Sequence, residues 1–180
     1  DLTFGLAGSV VLAISSNSDV AYTVGKDASG NYVLAGNCRT GATVDFCLVR
    51  VNASGVPDAT FGVGGIAVAP IGSGTDIAFA MAFQGDKIVA AGTCQNGAQN
   101  EMCVARFLST GALDTTFNGT GLRILDFGSS DDSARALLID QGLIYAAGTC
   151  NNMQITADAC LVRILDDGTL DSTFGSAGKL

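Results

Sequence analysis

The sequence has no histidine and no tryptophan, and many kinds of functional site depend on these residues. Without histidine, Ser-His and Cys-His nucleophilic catalysis and most transition-metal sites are excluded. The missing tryptophan weakens a sugar-stacking site, although Tyr22, Tyr32 and Tyr145 remain. Acid–base hydrolysis needs two paired carboxylates in a cleft, and the acidic residues here are scattered. We therefore expect a protein that is not an enzyme.

Positive charge is also scarce in this sequence. It has 9 lysine and arginine residues against 17 aspartate and glutamate residues, a net charge of −8. Because nine basic residues are too few to form a phosphate-binding stripe, nucleic acid and anionic membrane surfaces are disfavoured as partners. Apolar runs stay shorter than the roughly 18 residues that a membrane helix needs, so we expect no membrane insertion. Because the chain starts at Asp1 without a signal peptide, we expect a processed N-terminus or a domain boundary.

The chain has only 2 prolines, while its 24 glycines are many for 180 residues. Charged residues make up 14% of the chain, below the roughly 25% of an average soluble domain. This composition is typical of many short strands joined by tight turns, and not of a disordered chain.

The sequence repeats itself with a period of about 56 residues. The motif Asp-x-Thr-Phe occurs four times, starting at Asp1, Asp58, Asp114 and Asp171 and ending at Phe4, Phe61, Phe117 and Phe174. A second motif, Ala-Gly-x-Cys, ends at Cys38, Cys94 and Cys150, and a third, Cys-x-x-Arg, ends at Arg50, Arg106 and Arg163. Motifs that share one period indicate tandem structural units. We predict repeats at 1–57, 58–113 and 114–170, with 171–180 starting a fourth.

Each repeat is predicted to form four short β-strands. In the first repeat these are 8–14, 19–24, 31–38 and 46–52, separated by turn-forming residues. Several strands are almost continuously apolar, which is typical of sheets buried on both faces. Helical periodicity is missing, so the predicted fold is all-β. Four strands in about 56 residues, repeated, describe a β-propeller blade, and the chain is predicted to hold three.

The repeats resemble the delta-sixty repeat family of bacterial secreted and surface proteins. The resemblance covers the whole chain and lies in Leu113–Phe117, Leu170–Gly175 and the segments Ala90-Ala91-Gly92 and Leu161-Val162-Arg163. It implies a propeller-like fold of tandem blades and a place outside the cell. It implies no particular activity. The paired cysteines depart from the usual pattern of the family.

Six cysteines form three equivalent pairs, each where the third strand of a repeat ends and the fourth begins. Two residues at the open end of a hairpin lie opposite each other, close enough for a disulfide. We predict three bridges: Cys38–Cys47, Cys94–Cys103 and Cys150–Cys160. The alternative, zinc, usually requires Cys-x2-Cys spacing, which is missing here. Three disulfides indicate an oxidising compartment, so we expect a secreted or cell-surface protein.

Charged residues also recur with the period. The aspartates of the Asp-x-Thr-Phe motif are expected to form Asx turns, with the following Phe between blades. Calcium binding is the alternative, and no other cofactor is expected. A buried arginine needs a partner. We predict that Arg50, Arg106 and Arg163 pair with a second recurring set of acids, Asp19, Asp76 and Asp132. A ring of ligand-binding arginines is the alternative.

Three blades are too few to close a propeller, which normally has at least four. The chain also holds four Asp-x-Thr-Phe motifs for three repeat bodies, so both ends of the array are open. It can be completed by a second copy in a six-bladed ring, by head-to-tail filament growth, or as part of a longer array. We predict an extracellular structural module that self-associates. The alternative is a ligand-binding, lectin- or adhesin-like propeller that recognises a glycan or another surface ligand.

Overall fold

The computed structural model describes residues 1–39, 41–128, 131–150 and 158–180. Within these ranges the chain forms eleven strands: β1 (Val20–Lys26), β2 (Tyr32–Cys38), β3 (Asp45–Val51), β4 (Ile66–Ala69), β5 (Asp76–Gln84), β6 (Lys87–Asn96), β7 (Gln99–Phe107), β8 (Leu122–Leu125), β9 (Ser133–Asp140), β10 (Leu143–Cys150) and β11 (Asp158–Ile164). They form three antiparallel sheets, and the described residues include no helix. The all-β, propeller-like fold predicted from the sequence is confirmed.

The three sheets are blades that follow one another along the chain. Blade 1 has the strand order β1-β2-β3-β4, blade 2 has β5-β6-β7-β8, and blade 3 has β9-β10-β11. The outer strand of each four-stranded blade comes from the start of the next sequence repeat, so the sheets are offset from the repeat boundaries at 57/58 and 113/114. In blade 3, Lys179 and Leu180 lie at the corresponding outer position, where they pair with Val162 and Leu161.

The segment 8–14, predicted as a strand, is not one in the structure, so this prediction is wrong. Ser9 forms an isolated bridge to Leu6, as Ile66 does to Val63 at the start of β4. Residues 9–12 are therefore the equivalent of β4, one repeat earlier in the chain. A strand requires a neighbouring strand to complete its backbone hydrogen bonds, and the described chain provides none at this position.

Successive blades pack face to face, with β5 lying against β1, β2 and β3, and β9 lying against β5, β6 and β7. The central blade is consequently buried on both sides, and β7 is buried almost throughout its length. In blade 3, by contrast, buried and half-buried residues alternate along β10. The predicted two-sided burial is confirmed for the blade that has two neighbours.

The glycine of each Ala-Gly-x-Cys motif lies opposite an irregularity in the innermost strand of its blade. A Cβ atom on Gly36, Gly92 or Gly148 would lie only 1.8, 1.8 and 1.9 Å from a backbone carbonyl oxygen of that strand. Only glycine permits this approach, which explains why it recurs in each repeat.

Among the described residues, no helix has the length and apolar character needed to cross a membrane.

Candidate functional site

The ten residues that begin at each Asp-x-Thr-Phe motif form a compact turn, called here a head (1–10, 58–67, 114–123 and 171–180). In the head at Asp114, the carboxylate oxygen Oδ1 accepts hydrogen bonds from the backbone N–H of Thr116 at 3.1 Å and from its hydroxyl at 2.7 Å. The same pair of bonds forms at the aspartates of the other three heads. All four aspartates therefore form Asx turns, the structure that was expected in preference to calcium binding.

The recurring arginines contact these heads. Arg106 Nε donates to Asp114 Oδ2 at 2.8 Å, a terminal nitrogen donates to Thr116, and the guanidinium carbon lies 4.9 Å from the centre of the Phe117 ring. Arg50 and Arg163 make the same set of contacts with the heads at Asp58 and Asp171. The heads at Asp58, Asp114 and Asp171 are thus each joined to the last long strand of the repeat before them.

The predicted pairing of these arginines with Asp19, Asp76 and Asp132 is wrong. The backbone N–H groups of Asp58, Asp114 and Asp171 donate to the backbone oxygen of the arginine eight residues earlier, which brings each carboxylate next to the guanidinium. The other acids lie at the start of the innermost strands. There Asp76 Oδ2 accepts bonds from the backbone N–H groups of Ile71 and Gly72, and Asp19 and Asp132 bond the corresponding loops.

The head at Asp114, between blades 2 and 3, has the largest number of partners. The Arg106 side chain is buried and also donates to Gln84 and Asp166, while Lys87 Nζ lies 2.8 Å from Asp114 Oδ2. Burial opposes ionisation of Asp114, but hydrogen bonds from Lys87 and Thr116 and the charge of Arg106 outweigh it. Together they hold the pKa of Asp114 far below its usual range.

The phenylalanines of the heads differ in burial. Phe61 and Phe117 are fully buried, each within one of the two apolar cores where blades meet. Phe4 and Phe174 are only half-buried and contact Tyr32 and Tyr145 edge to face, with ring centres 5.8 and 6.2 Å apart. The expected position of the phenylalanine between two blades is therefore found for Phe61 and Phe117.

Two of the three predicted disulfides are present, Cys38–Cys47 and Cys94–Cys103, with Cα atoms 5.5 and 5.9 Å apart. The third prediction is not met, because Cys150 and Cys160 are free thiols. Their strands keep the register of blade 1, with Cys160 opposite Gly148 as Cys47 is opposite Gly36. Burial and contact with Cys150 raise the pKa of the Cys160 thiol.

Each blade has one face toward the following blade, called here its leading face. The residues of this face lie at equivalent positions in the three repeats: Val33, Ala35, Phe46 and Leu48 in blade 1, Val89, Ala91, Met102 and Val104 in blade 2, and Tyr145, Ala147, Ala159 and Leu161 in blade 3. The first two sets are at most 1% exposed. All four residues in blade 3 are half-buried or exposed, so this leading face is uncovered.

The opposite face of each blade, its trailing face, is equally apolar. In blade 1 it includes Leu34, Cys47 and Val49, and it contacts Leu12 and Ile14 of the N-terminal segment. A cleft of about 150 Å³ separates this segment from the blade. The trailing face of blade 1 is therefore covered only by the N-terminal segment, whereas the trailing faces of blades 2 and 3 are each covered by a complete preceding blade.

Carboxylates also face each other at the blade junctions, and the sequence reasoning missed them. Asp45 lies near Asp76 between blades 1 and 2, and Glu101 lies near Asp132 between blades 2 and 3. An acidic residue stands two positions before the second cysteine of every repeat, at Asp45, Glu101 and Asp158. That recurrence was visible in the sequence, but its proximity to the other acids was not.

The sequence profile of a family described as a domain of unknown function (DUF5122) beta-propeller matches residues 28–61 and 84–117. Each match runs from the turn before β2 or β6 to the phenylalanine of the next head. No curated protein and no solved structure matches the chain. The repeats are thus of a propeller type, while their assignment to the delta-sixty repeats stays a prediction.

Proposed function

We propose that the chain is an extracellular structural module that self-associates, with the leading face of blade 3 in one copy packing on the trailing face of blade 1 in another. Two copies related in this way close a ring of six blades. The proposal assigns the chain no catalytic role. The alternative, a lectin- or adhesin-like propeller, stays a prediction.

The observation that carries the proposal is that the two end faces, which lack a neighbouring blade, are equivalent to faces that another blade covers within the chain. Leu161 on the leading face of blade 3 corresponds to Leu48 and Val104, which are fully buried against a following blade. Leu34 on the trailing face of blade 1 corresponds to Ala90, which is fully buried against a preceding blade. A second copy would therefore repeat an interface that the chain already forms twice. Burying such apolar surface contributes roughly 25 cal/mol per Å².

The two terminal heads support the same arrangement. The central heads contact both the arginine before them and the turn after them, as when Gly62 N–H donates to Thr110 and Asp58 is bonded by Arg50. The head at Asp1 contacts the following turn, since Gly5 N–H donates to Ser54. The head at Asp171 contacts the preceding arginine, Arg163.

Each terminal head thus makes one half of the contacts that a central head makes. A junction between two copies has room for one head, so one of these two segments must give way to the other. When residues 1–12 of one copy fill the position, blade 3 of its neighbour gains a complete outer strand. This exchange resembles the addition of a strand to an exposed sheet edge in peptide recognition.

Closure into a ring is the form of association that we favour over a filament. The two faces differ from each other, so the contact is heterologous and produces either a ring or a filament. Six blades lie within the range of four to eight that propellers typically have. An open filament would leave one uncovered leading face at its end, and the ring leaves none.

Disulfides support a place outside the cytoplasm. Cys38–Cys47 and Cys94–Cys103 are bridged, and such bonds form and persist in oxidising compartments. The net charge of −8 is consistent with a module that does not bind nucleic acid or anionic lipid.

Two variants with complementary damage test the proposal. Leu161→Asp places a charge on the leading face of blade 3, and Leu34→Asp places one on the trailing face of blade 1. Each variant alone is expected to sediment as a monomer of 18.1 kDa. An equimolar mixture is expected to form a heterodimer, because one undamaged pair of faces remains.

Val63→Asp is the control, since Val63 is 86% exposed and belongs to neither face. It is expected to associate as the unmodified protein does. Association of each single variant to the same extent as this control would contradict the proposed interface. A mixture that stays monomeric would contradict a heterologous contact.

A further inference from the structure

Three carboxylates meet between blades 2 and 3. Glu101 on β7, Asp126 after β8 and Asp132 before β9 each bring one oxygen atom into a group whose members all lie within 4.8 Å of one another. Glu101 is 3% exposed and Asp132 is 1% exposed, while Asp126 is open to solvent. Two acids are therefore buried together, and a third lies beside them at the surface.

One oxygen of this group has no hydrogen-bond partner among the described residues. Glu101 Oε2 is buried, and no donor reaches it. A buried polar atom without a partner destabilises the folded protein, and a charged one does so more strongly. Glu101 therefore places a buried carboxylate with one unpartnered oxygen beside two other carboxylates, and this arrangement favours a cation among them.

Among the described residues, no lysine or arginine forms an ion pair with the carboxylate of Glu101 or Asp126. Lys179, the cation that contacts this region, donates from Nζ to the backbone oxygen of Asp126 and lies 4.4 Å from the centre of the Phe127 ring. That backbone oxygen is not part of the carboxylate group. Neighbouring carboxylates repel one another when they are charged, and a bound cation would relieve this repulsion.

The equivalent junction between blades 1 and 2 shows that the fold does not require three acids. There Asp45 and Asp76 face each other, and the residue at the position of Asp126 is Pro70. The Thr43 hydroxyl donates to Asp45, so the first acid of this pair has a partner. The third carboxylate is therefore particular to the junction of blades 2 and 3.

We propose that Glu101, Asp126 and Asp132 bind a divalent cation of the calcium type. Carboxylate oxygens are the ligands that hard cations prefer, and the group offers neither imidazole nor thiolate. Calcium accepts six to eight oxygen ligands in irregular geometry, so water molecules on the exposed side of Asp126 would complete its coordination. The bound ion would join β7 of blade 2 to the loop that enters blade 3 and so rigidify that junction. This inference is independent of self-association, because all three ligands belong to one chain.

Calcium titration by isothermal calorimetry tests the site, on the full non-reduced chain at constant ionic strength. The unmodified protein is expected to bind one Ca²⁺ per chain and to unfold at a higher temperature when Ca²⁺ is present. Asp126→Asn and Glu101→Gln each remove one ligand charge and are expected to weaken binding at least about tenfold. Asparagine at 126 can still accept the hydrogen bond from the Gly128 N–H, so this variant should fold normally.

Asp86→Asn is the matched control, because it removes one exposed carboxylate from the turn between β5 and β6. It is expected to bind Ca²⁺ as the unmodified protein does. Two results would overturn the proposal. If the unmodified protein takes up no Ca²⁺ at about 10 mM, above the range of weak extracellular sites, the carboxylates share a proton instead. If both ligand variants bind as tightly as the control, the ion lies elsewhere.

Discussion

Arg106 connects three parts of the protein through one side chain. It lies on β7, contacts the head at Asp114, and reaches Asp166 in the turn after β11. Arg50 and Arg163 occupy the same position in their repeats, but their side chains are 11% and 22% exposed, against 1% for Arg106. The same contacts should therefore contribute differently to stability in the three repeats.

We expect Arg106→Ala to lower the free energy of unfolding by about 3–5 kcal/mol, the usual cost of breaking a buried ion pair. Because Lys87 still pairs with Asp114 in this variant, we expect a loss near the lower end of this range. Arg50→Ala should cost about 1 kcal/mol, since its partner Asp58 is open to solvent screening. Urea unfolding of both variants measures the difference, and equal losses would show that burial does not set the strength of these contacts.

Glu101 makes stability depend on pH when no calcium is present. Burial and the nearby charges of Asp126, Asp132 and Asp131 raise its pKa to about 7. Its carboxyl group in the unfolded chain has a pKa near 4.5. Between these values the folded protein holds a proton that the unfolded chain has lost, so its stability falls as the pH rises from about 4.5 through 7.

In the presence of a chelator, we expect the unmodified protein to lose about 2–3 kcal/mol of unfolding free energy over this interval. Glu101→Gln cannot titrate at this position and should show a much smaller decrease. Denaturant unfolding at several pH values measures both. A variant with the same slope as the unmodified protein would assign the pH dependence to other groups.

The periodicity of the sequence identified the residues of the heads and the arginines, but it did not identify their partners. Asp19 and Asp58 recur with the same period, and only the backbone bond from Asp58 to Arg50 decides which acid the arginine reaches. The carboxylates of Glu101 and Asp132 are 31 positions apart in different blades, so their proximity arises from blade packing. Contacts within a repeat were predictable, whereas contacts between repeats depend on how the blades stack.

At the scale of the elements, the long strands of each blade were predictable because turn residues and apolar runs mark them. The segment 8–14 has an equally apolar sequence, yet it forms no strand. Its apolar character fits burial against blade 1, and strand formation depends in addition on a neighbour. The hairpins that carry the disulfides were likewise predictable from the spacing of their cysteines, but their register was not, because Cys47 lies opposite Gly36 and Cys38 lies opposite Asp45.

The disulfides should contribute through the hairpins that they close. Replacing both Cys38 and Cys47 with alanine is expected to lower stability by about 2–3 kcal/mol, since a loop of about ten residues is no longer closed. The control is the double replacement of Cys150 and Cys160, which breaks no bond in the structure and should cost less. Thermal unfolding without reductant measures both changes. A loss of equal size in the control would mean that the third pair is bridged in solution.

Gly92 tests the close approach within a blade. Alanine at this position would place Cβ 1.8 Å from the Ile77 backbone oxygen, so the strands must separate. We expect Gly92→Ala to lower the free energy of unfolding by about 3 kcal/mol. Gly41→Ala is the control, since a Cβ atom there meets no atom within 4 Å. Denaturant unfolding measures the free energy of unfolding of both variants. If Gly92→Ala is as stable as Gly41→Ala, the close approach does not explain why this glycine recurs in the three repeats.

At the scale of the whole molecule, the three blades form an array whose two end faces lack a neighbouring blade. The sequence predicted this from the count of three repeat bodies against four heads, before any face could be described. It could not predict which residues lie on those faces, because alternate positions along a strand point in opposite directions. Leu161 and Leu34 were assigned to their faces by comparison with equivalent residues that are buried inside the array.

The mass of the non-reduced, unmodified protein in solution over a wide range of concentrations tests the central claim most directly. Closure of two chains into a six-bladed ring predicts twice 18.1 kDa, about 36 kDa, with no further growth as the concentration rises. A mass that stays at 18.1 kDa throughout would contradict self-association. A mass that keeps rising with concentration would contradict the closed ring and indicate an open filament.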